Sequence, residues 1–342
     1  MSELEVTQIT DRAGTGKPNL SQGFKVSGTL DTTLAPTRTE GNTEPSTPAN
    51  GDTWYDTDND TYDVYLDGEW KRFLGAAVSS DWTVNLTQAS YDSVSFNADG
   101  QESSPYGIVF NADGTKLYII GVASDTVFQY SLSTAFDIST TSYDSVSFSV
   151  SSQETSPFSL AFNTDGTKMY VLGDTNDTAF QYTLSTAFNV GTASYDSVSF
   201  SFATQDTGPQ SLVFNTDGTK MYVVGPSQDK VFQYTLSTAF NVGTASYDSV
   251  SFSVSSQDAI PRAMAFNSDG TKMYIVGQGG QSVFQYSLST AFDVSTASYD
   301  SVSFSVATQD TVPFDLKFSS DGTKMYVIGI ATEYIYQYST GL

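Results

Sequence analysis

The chain has 342 residues, of which 39% are hydrophobic and 14% aromatic, and its formal net charge is −24, from 38 acidic and 14 basic residues. Such a charge balance argues against nucleic acid and anionic membrane surfaces as partners, because both require basic residues. Histidine and cysteine are absent, which removes disulfides, Ser-His and Cys-His catalytic pairs, and the commonest metal ligand. We therefore expect no enzyme and no nucleic-acid partner, and no apolar stretch is long enough for membrane insertion.

Residues 1–52 show little capacity to fold alone. Two short alternating stretches lie around Leu4–Ile9 and Phe24–Leu30, so residues 1–30 are predicted to be an extended arm that pairs with another protein. The N-terminus has neither a basic n-region nor an apolar h-region, and we do not interpret it as a secretory signal. Residues 31–52 are rich in Thr, Pro, Gly and Asn, which predicts a linker.

Residues 53–78 are predicted to form a small three-stranded β module. Aromatic residues fall in three short runs, separated by an Asp-rich turn at 56–60 and by Asp67-Gly68. Asp56, Asp58 and Asp60 alternate as Ca²⁺ ligands often do, but Thr61 stands where a glycine is expected. We interpret this stretch as a polar turn, with calcium as the weaker alternative, and expect no other cofactor or metal.

Residues 79–342 contain one sequence unit repeated at a constant spacing. The motif YDSVSF begins at five positions, Tyr91, Tyr143, Tyr195, Tyr247 and Tyr299. An Asp-Gly-Thr-Lys turn recurs at Asp113, Asp165, Asp217, Asp269 and Asp321, and a proline recurs at Pro105, Pro157, Pro209, Pro261 and Pro313. Each unit reads as four short strands, because runs rich in Val, Phe and Tyr alternate with turn residues.

The order of these motifs predicts a closed ring. Repeated units of four antiparallel strands are typical of propeller blades. The fourth-strand motif occurs first, at Tyr91, and the chain stops after a fifth third-strand near Tyr338. Five complete blades exist only if the leading strand joins the last blade. The predicted fold is therefore all-β: a five-bladed β-propeller with four-stranded blades, preceded by the small β-meander and the extended arm.

The repeats resemble the YVTN/NHL-like superfamily of propeller repeats. The resemblance rests on the proline, the FNxDGTK turn and the KMYVVG strand, and covers about residues 91–340. It implies a propeller fold and says almost nothing about function, since propellers host many activities.

Differences between the five copies point to a candidate binding surface. We call the end of the ring where each first strand begins the top. Loops at the bottom are nearly identical between copies, whereas those at the top diverge. We predict that a ligand binds at the top, through the residues that follow the prolines and through nearby loop residues: Tyr106, Phe158, Gln210, Arg262, Phe314, Asp174, Gln228 and Gln278. Sequence drift in unconstrained loops is the alternative. We interpret the five turn aspartates as structural.

The N-terminal part of the chain resembles virion proteins of marine and cyanophage-like tailed phages. The resemblance lies in GDTWYDTDN at 51–59, VYLDGEWKRF at 64–73 and the opening LEVTQITDRAGTGKPNLSQGF. It implies a tail fibre, spike or capsid-attached fibre that is made in the host cytoplasm and displays the propeller for host attachment. Its partners would be other virion proteins, through the arm, and a host surface glycan or protein. Fibres are commonly homotrimers, but no heptad pattern supports a coiled coil here.

Two other functions stay open. The propeller could be a structural or decoration knob of the virion. It could also be a calcium-dependent propeller hydrolase, but such a site needs convergent acidic or histidine residues at the channel mouth. Asp315 is the only acidic residue within two positions after any of the five prolines.

Overall fold

The computed structural model describes residues 84–342 in full and, of the preceding chain, the backbone of four strand segments. The chain divides into two compact units, residues 1–78 and 79–342. The predicted arm, residues 1–30, and the aspartates Asp58 and Asp60 lie outside the described residues, as does the side chain of Asp56.

The first unit contains a four-stranded sheet. Its strands are Arg38–Gly41, Thr53–Asp56, Thr61–Leu66 and Glu69–Phe73. The last three form the predicted antiparallel meander, in which Tyr55 pairs with Tyr62 and Tyr65 with Trp70. The first strand lies in the range predicted as a linker and pairs in parallel with Thr53–Asp56. This strand was not predicted, because its sequence, RTEG, has neither alternating hydrophobicity nor a β-branched run.

The second unit is a five-bladed β-propeller, and the predicted fold is confirmed. Five four-stranded antiparallel sheets each use their strands in chain order, except that the last sheet takes its fourth strand from the start of the unit. The first strands contact one another around the axis and are Pro105–Phe110, Pro157–Phe162, Ser211–Phe214, Pro261–Phe266 and Pro313–Phe318. They begin blades 1 to 5 in that order.

The other strands follow outward in each blade. The second strands are Lys116–Gly121, Lys168–Gly173, Lys220–Gly225, Lys272–Gly277 and Lys324–Gly329, and the third are Thr126–Leu132, Thr178–Leu184, Lys230–Leu236, Ser282–Leu288 and Tyr334–Ser339. The fourth are Thr141–Ser149, Ala193–Ser201, Ala245–Ser253, Ala297–Ser305 and, for blade 5, Ser90–Asn97.

Short 3-10 helices precede the fourth strands. They are Leu86–Gln88, Ile138–Thr140, Val190–Thr192, Val242–Thr244 and Val294–Thr296. In four of them an Asp or Asn side chain caps the first turn, as where Asp137 accepts a hydrogen bond from the Ser139 N–H. No helix within the described residues is long and apolar enough to cross a membrane.

The second strands form the core between blades. Met169, Tyr170, Val171 and Leu172 are all fully buried, because one face of each blade packs on the preceding blade and the other on the next. The tyrosine of this strand also bonds to the neighbouring blade: the Tyr170 hydroxyl donates to the Phe240 carbonyl at 2.5 Å. Equivalent bonds join Tyr118 to Phe188, Tyr222 to Phe292 and Tyr326 to Phe136.

Closure of the ring occurs as the sequence predicted. The strand Ser90–Asn97 pairs antiparallel with Tyr334–Ser339, so that Val94 lies opposite Gln337 and Phe96 opposite Ile335. Both ends of this unit therefore belong to blade 5, and each first strand begins at the same end of the ring.

Candidate functional site at the top of the ring

In four of the blades, the residue after the proline is the extra residue of a β-bulge. In blade 2, Pro157 pairs with Gly173 and Ser159 with Leu172, which leaves Phe158 as the extra residue. The same register shift occurs at the starts of blades 1, 4 and 5. A bulge re-aims the side chain of the extra residue. The proline is suited to this place because it lacks a ladder N–H.

Three of these extra residues form one aromatic cluster. The rings of Tyr106 and Phe158 stack with centroids 4.9 Å apart, and Tyr106 and Phe314 meet edge to face at 4.5 Å. Phe158 and Phe314, 5.3 Å apart, belong to blades 2 and 5, which are not neighbours in the ring. The rings therefore meet across the axis rather than standing apart around it. Phe314 is buried, whereas Tyr106 and Phe158 are half-buried.

Arg262 links the remaining blades to this cluster. Its guanidinium carbon lies 5.2 Å from the centre of the Phe314 ring. One terminal nitrogen donates to Gln210 Oε1 at 3.1 Å and the other to Gln278 Oε1 at 3.0 Å. Burial lowers the pKa of Arg262 and the nearby Asp258 and Asp174 oppose that shift, but an arginine stays charged at any physiological pH. The structure thus brings together all five residues that follow the prolines.

The other predicted residues lie at different depths. Gln278 is half-buried and holds Arg262, whereas Asp174 and Gln228 are exposed in the loops between second and third strands. The Asp174 carboxylate faces the Gly208 backbone of the next blade, where a Cβ would lie 3.7 Å from its Oδ1. Asp174 is close enough to Arg262 for its charge to raise the pKa of the guanidinium, whereas the Gln228 side chain makes no hydrogen bond within residues 84–342. Ligand binding by any of these residues stays a prediction.

Five buried acids, which were not predicted from the sequence, support the top loops. Each stands three residues before the proline: Glu102, Glu154, Asp206, Asp258 and Asp310. Asp258 Oδ1 accepts from the Ile260 and Gly279 N–H groups at 2.8 and 3.0 Å, and Oδ2 accepts from Gly280 at 2.9 Å. Each acid can thus tie the loop before its blade to the loop between strands two and three. Their recurrence at the period of the repeat was the signal that could have found them.

These acids also explain the glycine that ends the second strand in four of the five blades. A Cβ on Gly329 would lie 2.0 Å from the Asp310 carboxyl carbon, and one on Gly173 would lie 2.3 Å from the Glu154 Cγ. Only glycine leaves room for the carboxylate beneath the loop. In blade 3, a Cβ on Gly225 would instead lie 2.2 Å from the Gly208 carbonyl oxygen.

Carboxylates repel one another at the top. Burial raises the pKa of Asp206, with smaller contributions from the charges of Asp177 and Asp229. Burial also raises the pKa of Asp125, where Glu102 and Glu154 add to the shift. Asp206 Oδ1 accepts from the Gly208 N–H at 2.8 Å. The rim is therefore a region of negative potential, broken by Arg262 and Lys230.

The turn aspartates have a structural place at the bottom. Asp165 Oδ1 accepts from the Thr167 N–H at 2.9 Å and from its hydroxyl at 2.6 Å. Gly166 adopts a φ of +69°, and the Phe188 ring lies where its Cβ would be. Asp315 is not a free acid at the channel mouth, since it is buried and paired with Lys317. Within residues 84–342, no three acidic side chains are grouped as a metal site.

A cavity of about 450 Å³ opens at the bottom of the ring. Its walls are the last residues of the first strands and the turns that follow them. No role was predicted for this end of the ring, because the bottom loops hardly vary between copies. At this end the five blades differ in their first strands and not in their loops.

Comparisons with known proteins identify no family. No family model and no curated protein matches the chain. Among solved structures, it is similar to proteins described as putative 6-phosphogluconolactonases from Bacteroides uniformis (15% identity, TM-score 0.42) and Bacteroides fragilis (15%, 0.43). These matches cover 65% and 66% of this chain and 63% and 64% of those chains, so they span less than two thirds of those proteins. A luciferin-regenerating enzyme matches at 11% identity and TM-score 0.44, over 72% of this chain and 95% of its own.

The expectation that the chain is not an enzyme was wrong as an exclusion. Proteins of similar fold include ones named as a lactonase and as a luciferin-regenerating enzyme. The absence of histidine and cysteine rules out particular catalytic pairs, but it does not rule out a reaction carried by carboxylates, amides or a bound ion. At such low sequence identities the similarity concerns the fold alone, and none of these activities passes to this chain.

Proposed function

We propose that the chain is a virion attachment protein of a tailed phage, in which the propeller is a rigid head and its top surface binds a carbohydrate of the host. The observation that carries the proposal is the convergence of five different residues at one point of a ring that is otherwise nearly uniform. Tyr106, Phe158 and Phe314 contact one another, and Arg262 joins Phe314 to Gln210.

The composition of this surface suits a saccharide. Aromatic rings present flat apolar faces and edges to sugar rings, and amides and carboxylates bond to hydroxyls in fixed directions. Tyr106 and Phe158 are half-buried, and Asp174 and Gln228 are exposed in the loops at the same end of the ring. The buried acids beneath the loops supply rigidity, since a loop whose N–H groups are held, as by Asp258, loses less entropy on binding.

The virion assignment is supported by the N-terminal part of the chain, up to the motif at 64–73, which resembles that of tailed-phage structural proteins. A small sheet in this part of the chain is consistent with a module separate from the head. Peptide mass spectrometry of purified particles, with antibody labelling to place the protein, tests this assignment. Absence of its peptides from intact particles that carry the gene refutes it.

Carbohydrate binding is tested separately on the purified full-length chain. We expect binding to one class of bacterial surface glycan on an array, and a loss of at least tenfold in affinity in Tyr106→Ala/Arg262→Ala. Ser147→Ala, an exposed residue on an outer strand, is the matched control and keeps full affinity. Binding that is equal in the double variant and the control places the ligand elsewhere.

A structural knob is the second candidate, favoured by the burial of Phe314 and by ring contacts between blades that are not neighbours. In that case the aromatic cluster is a plug that fastens the blades at the axis. Tyr106→Ala/Arg262→Ala then lowers the melting temperature of the chain while host adsorption by the particle is unchanged.

A further inference from the structure

The bottom cavity, which we call the funnel, differs from the top in chemistry. Five of its wall residues occupy equivalent positions, four residues after each of the recurring prolines: Val109, Ala161, Val213, Ala265 and Lys317. Phenylalanines of the next position and of neighbouring loops add to the apolar wall, together with Leu160, Leu212 and Met264. The turns contribute seven polar residues to the lining: Thr164, Asn215, Thr216, Asn267, Ser268, Ser319 and Ser320. A volume of about 450 Å³ lies in the range of small-molecule sites.

Among the described residues of the wall, Lys317 is the one that carries a charge. Lys317 stands where the other four blades have valine or alanine, and its Nζ lies 2.6 Å from Asp315 Oδ1. Asp315 is only 3% exposed. It also accepts from the Leu316 N–H at 2.8 Å and, through Oδ2, from the Ile108 N–H at 2.9 Å. The carboxylate is therefore fully used by the protein, and the pair has no net charge.

The ammonium of Lys317 keeps capacity for a ligand. It carries three N–H donors, and within the described residues it makes one hydrogen bond, to Asp315. Lys317 lines the funnel, so the remaining donors can be reached from it. This donor, with apolar side chains at the equivalent positions of the other four blades, fixes the orientation of a ligand that has one acceptor end.

Charge around the funnel selects against ions. The turns that line it also carry Asp165, Asp217 and Asp321, and all three are exposed. An anionic ligand would pass these carboxylates and then meet a lysine whose charge is already balanced. A cationic ligand would meet the ammonium of Lys317, while the carboxylate of Asp315 is already fully hydrogen-bonded. An uncharged molecule is therefore the class that fits.

We propose that the funnel binds an uncharged amphiphile, whose oxygen accepts a hydrogen bond from Lys317 and whose hydrocarbon part packs against the valines, alanines and phenylalanines of the wall. Medium-chain alcohols and ketones have this chemistry. The site lies at the opposite end of the ring from the carbohydrate surface, and the two proposals stand independently.

Displacement of a neutral fluorescent probe from the full-length chain tests the funnel. We expect N-phenyl-1-naphthylamine to bind one per chain and 1-octanol to displace it at least tenfold more effectively than octanoate or octylammonium. Ala161→Trp fills the funnel and reduces probe affinity at least tenfold, whereas Ser147→Trp, an exposed change on an outer strand, leaves it unchanged. Retained affinity in Ala161→Trp, or stronger displacement by either ion, overturns the proposal.

Two further measurements cover the case in which Ala161→Trp does not fold. In Asp315→Asn/Lys317→Met, which stays neutral, the probe still binds but displacement by 1-octanol weakens several-fold. In the unmodified chain, saturating 1-octanol protects Lys317 from acetylation, read by mass spectrometry, and does not protect Lys230 at the top. Acetylation of Lys317 at the same rate with and without 1-octanol counts against the funnel as a binding site.

Discussion

Lys324 and Asp92 form an ion pair of 2.6 Å although 232 residues separate them in the chain. Asp92 also accepts from Ser339 at 2.7 Å and from Gln337 at 3.0 Å. The same arrangement recurs inside every continuous blade, as between Lys168 and Asp196, which are 28 residues apart. In blade 5 it fastens the leading strand to the end of the chain, so a local motif of the blade becomes the closure of the ring.

Removal of this carboxylate is expected to open the ring locally. Asp92→Ala should lower the free energy of unfolding by about 2 kcal/mol, since hydrogen bonds to a charged group are lost. It should also speed hydrogen exchange in residues 90–97. Asp196→Ala removes the same bonds from a blade with no chain end and is the matched control. We expect a similar loss of stability by urea unfolding but unchanged exchange in 90–97; equal exchange in both variants contradicts the assignment of closure to Asp92.

Gly218 allows the bottom turn of blade 3 to receive an aromatic ring. Its φ is +71°, and a Cβ would lie 2.2 Å from the Phe240 ring. Gly218→Ala therefore adds backbone strain of about 1–2 kcal/mol to an overpacking cost of about 1–3 kcal/mol. Gly100→Ala, where a Cβ would meet nothing within 4 Å, is the control. A urea midpoint that falls equally in both variants shows that the ring moves aside.

The repeat made the blades predictable, but it did not predict the contacts across the axis. A constant period, with an Asp-Gly turn and a proline at the same place in every unit, fixes strand order, turn positions and the closing role of Tyr91 to Phe96. These features depend on neighbours in the chain. The stacking of Tyr106 on Phe158 and the bridge from Arg262 to Gln278 depend on how far each bulge turns a side chain. The funnel was not predicted either, because the pair of Asp315 and Lys317 occurs in a single copy of the repeat.

Arg262 is expected to couple energetically to Gln278. Its planar fork reaches Gln210 and Gln278 together while its face covers the Phe314 ring, and a lysine cannot do all three. Arg262→Lys should lower the free energy of unfolding by about 1 kcal/mol. A double-mutant cycle with Gln278→Ala, measured by urea unfolding, should give a coupling energy of about 1 kcal/mol. Strictly additive losses would falsify a bridge between the two residues.

Stability should change with pH in two opposite ways, because the carboxylates fall into two groups. Partial burial would raise the pKa of Asp196, but hydrogen bonds from Lys168, Thr183 and Gln181 outweigh it and lower the pKa below its usual 3.8. The same holds for Asp92, Asp144, Asp248 and Asp300. At the top, burial and neighbouring charges raise the pKa of Asp125, Asp177, Asp206 and Asp229.

These shifts predict a stability maximum on the acid side of neutrality. A lowered pKa stabilises the fold above about pH 4 and loses that contribution as the pH falls through the folded-state value. A raised pKa works in reverse: acidification from neutral pH protonates the top carboxylates more readily in the folded chain, so stability rises until the pH reaches about 4. Urea unfolding from pH 7 to pH 3 should therefore show an increase followed by a steep loss. Asp206→Asn should reduce the increase and leave the steep loss in place, whereas Asp196→Asn should reduce the steep loss; a steady decline in the unmodified chain from pH 7 downward contradicts the raised pKa values at the top.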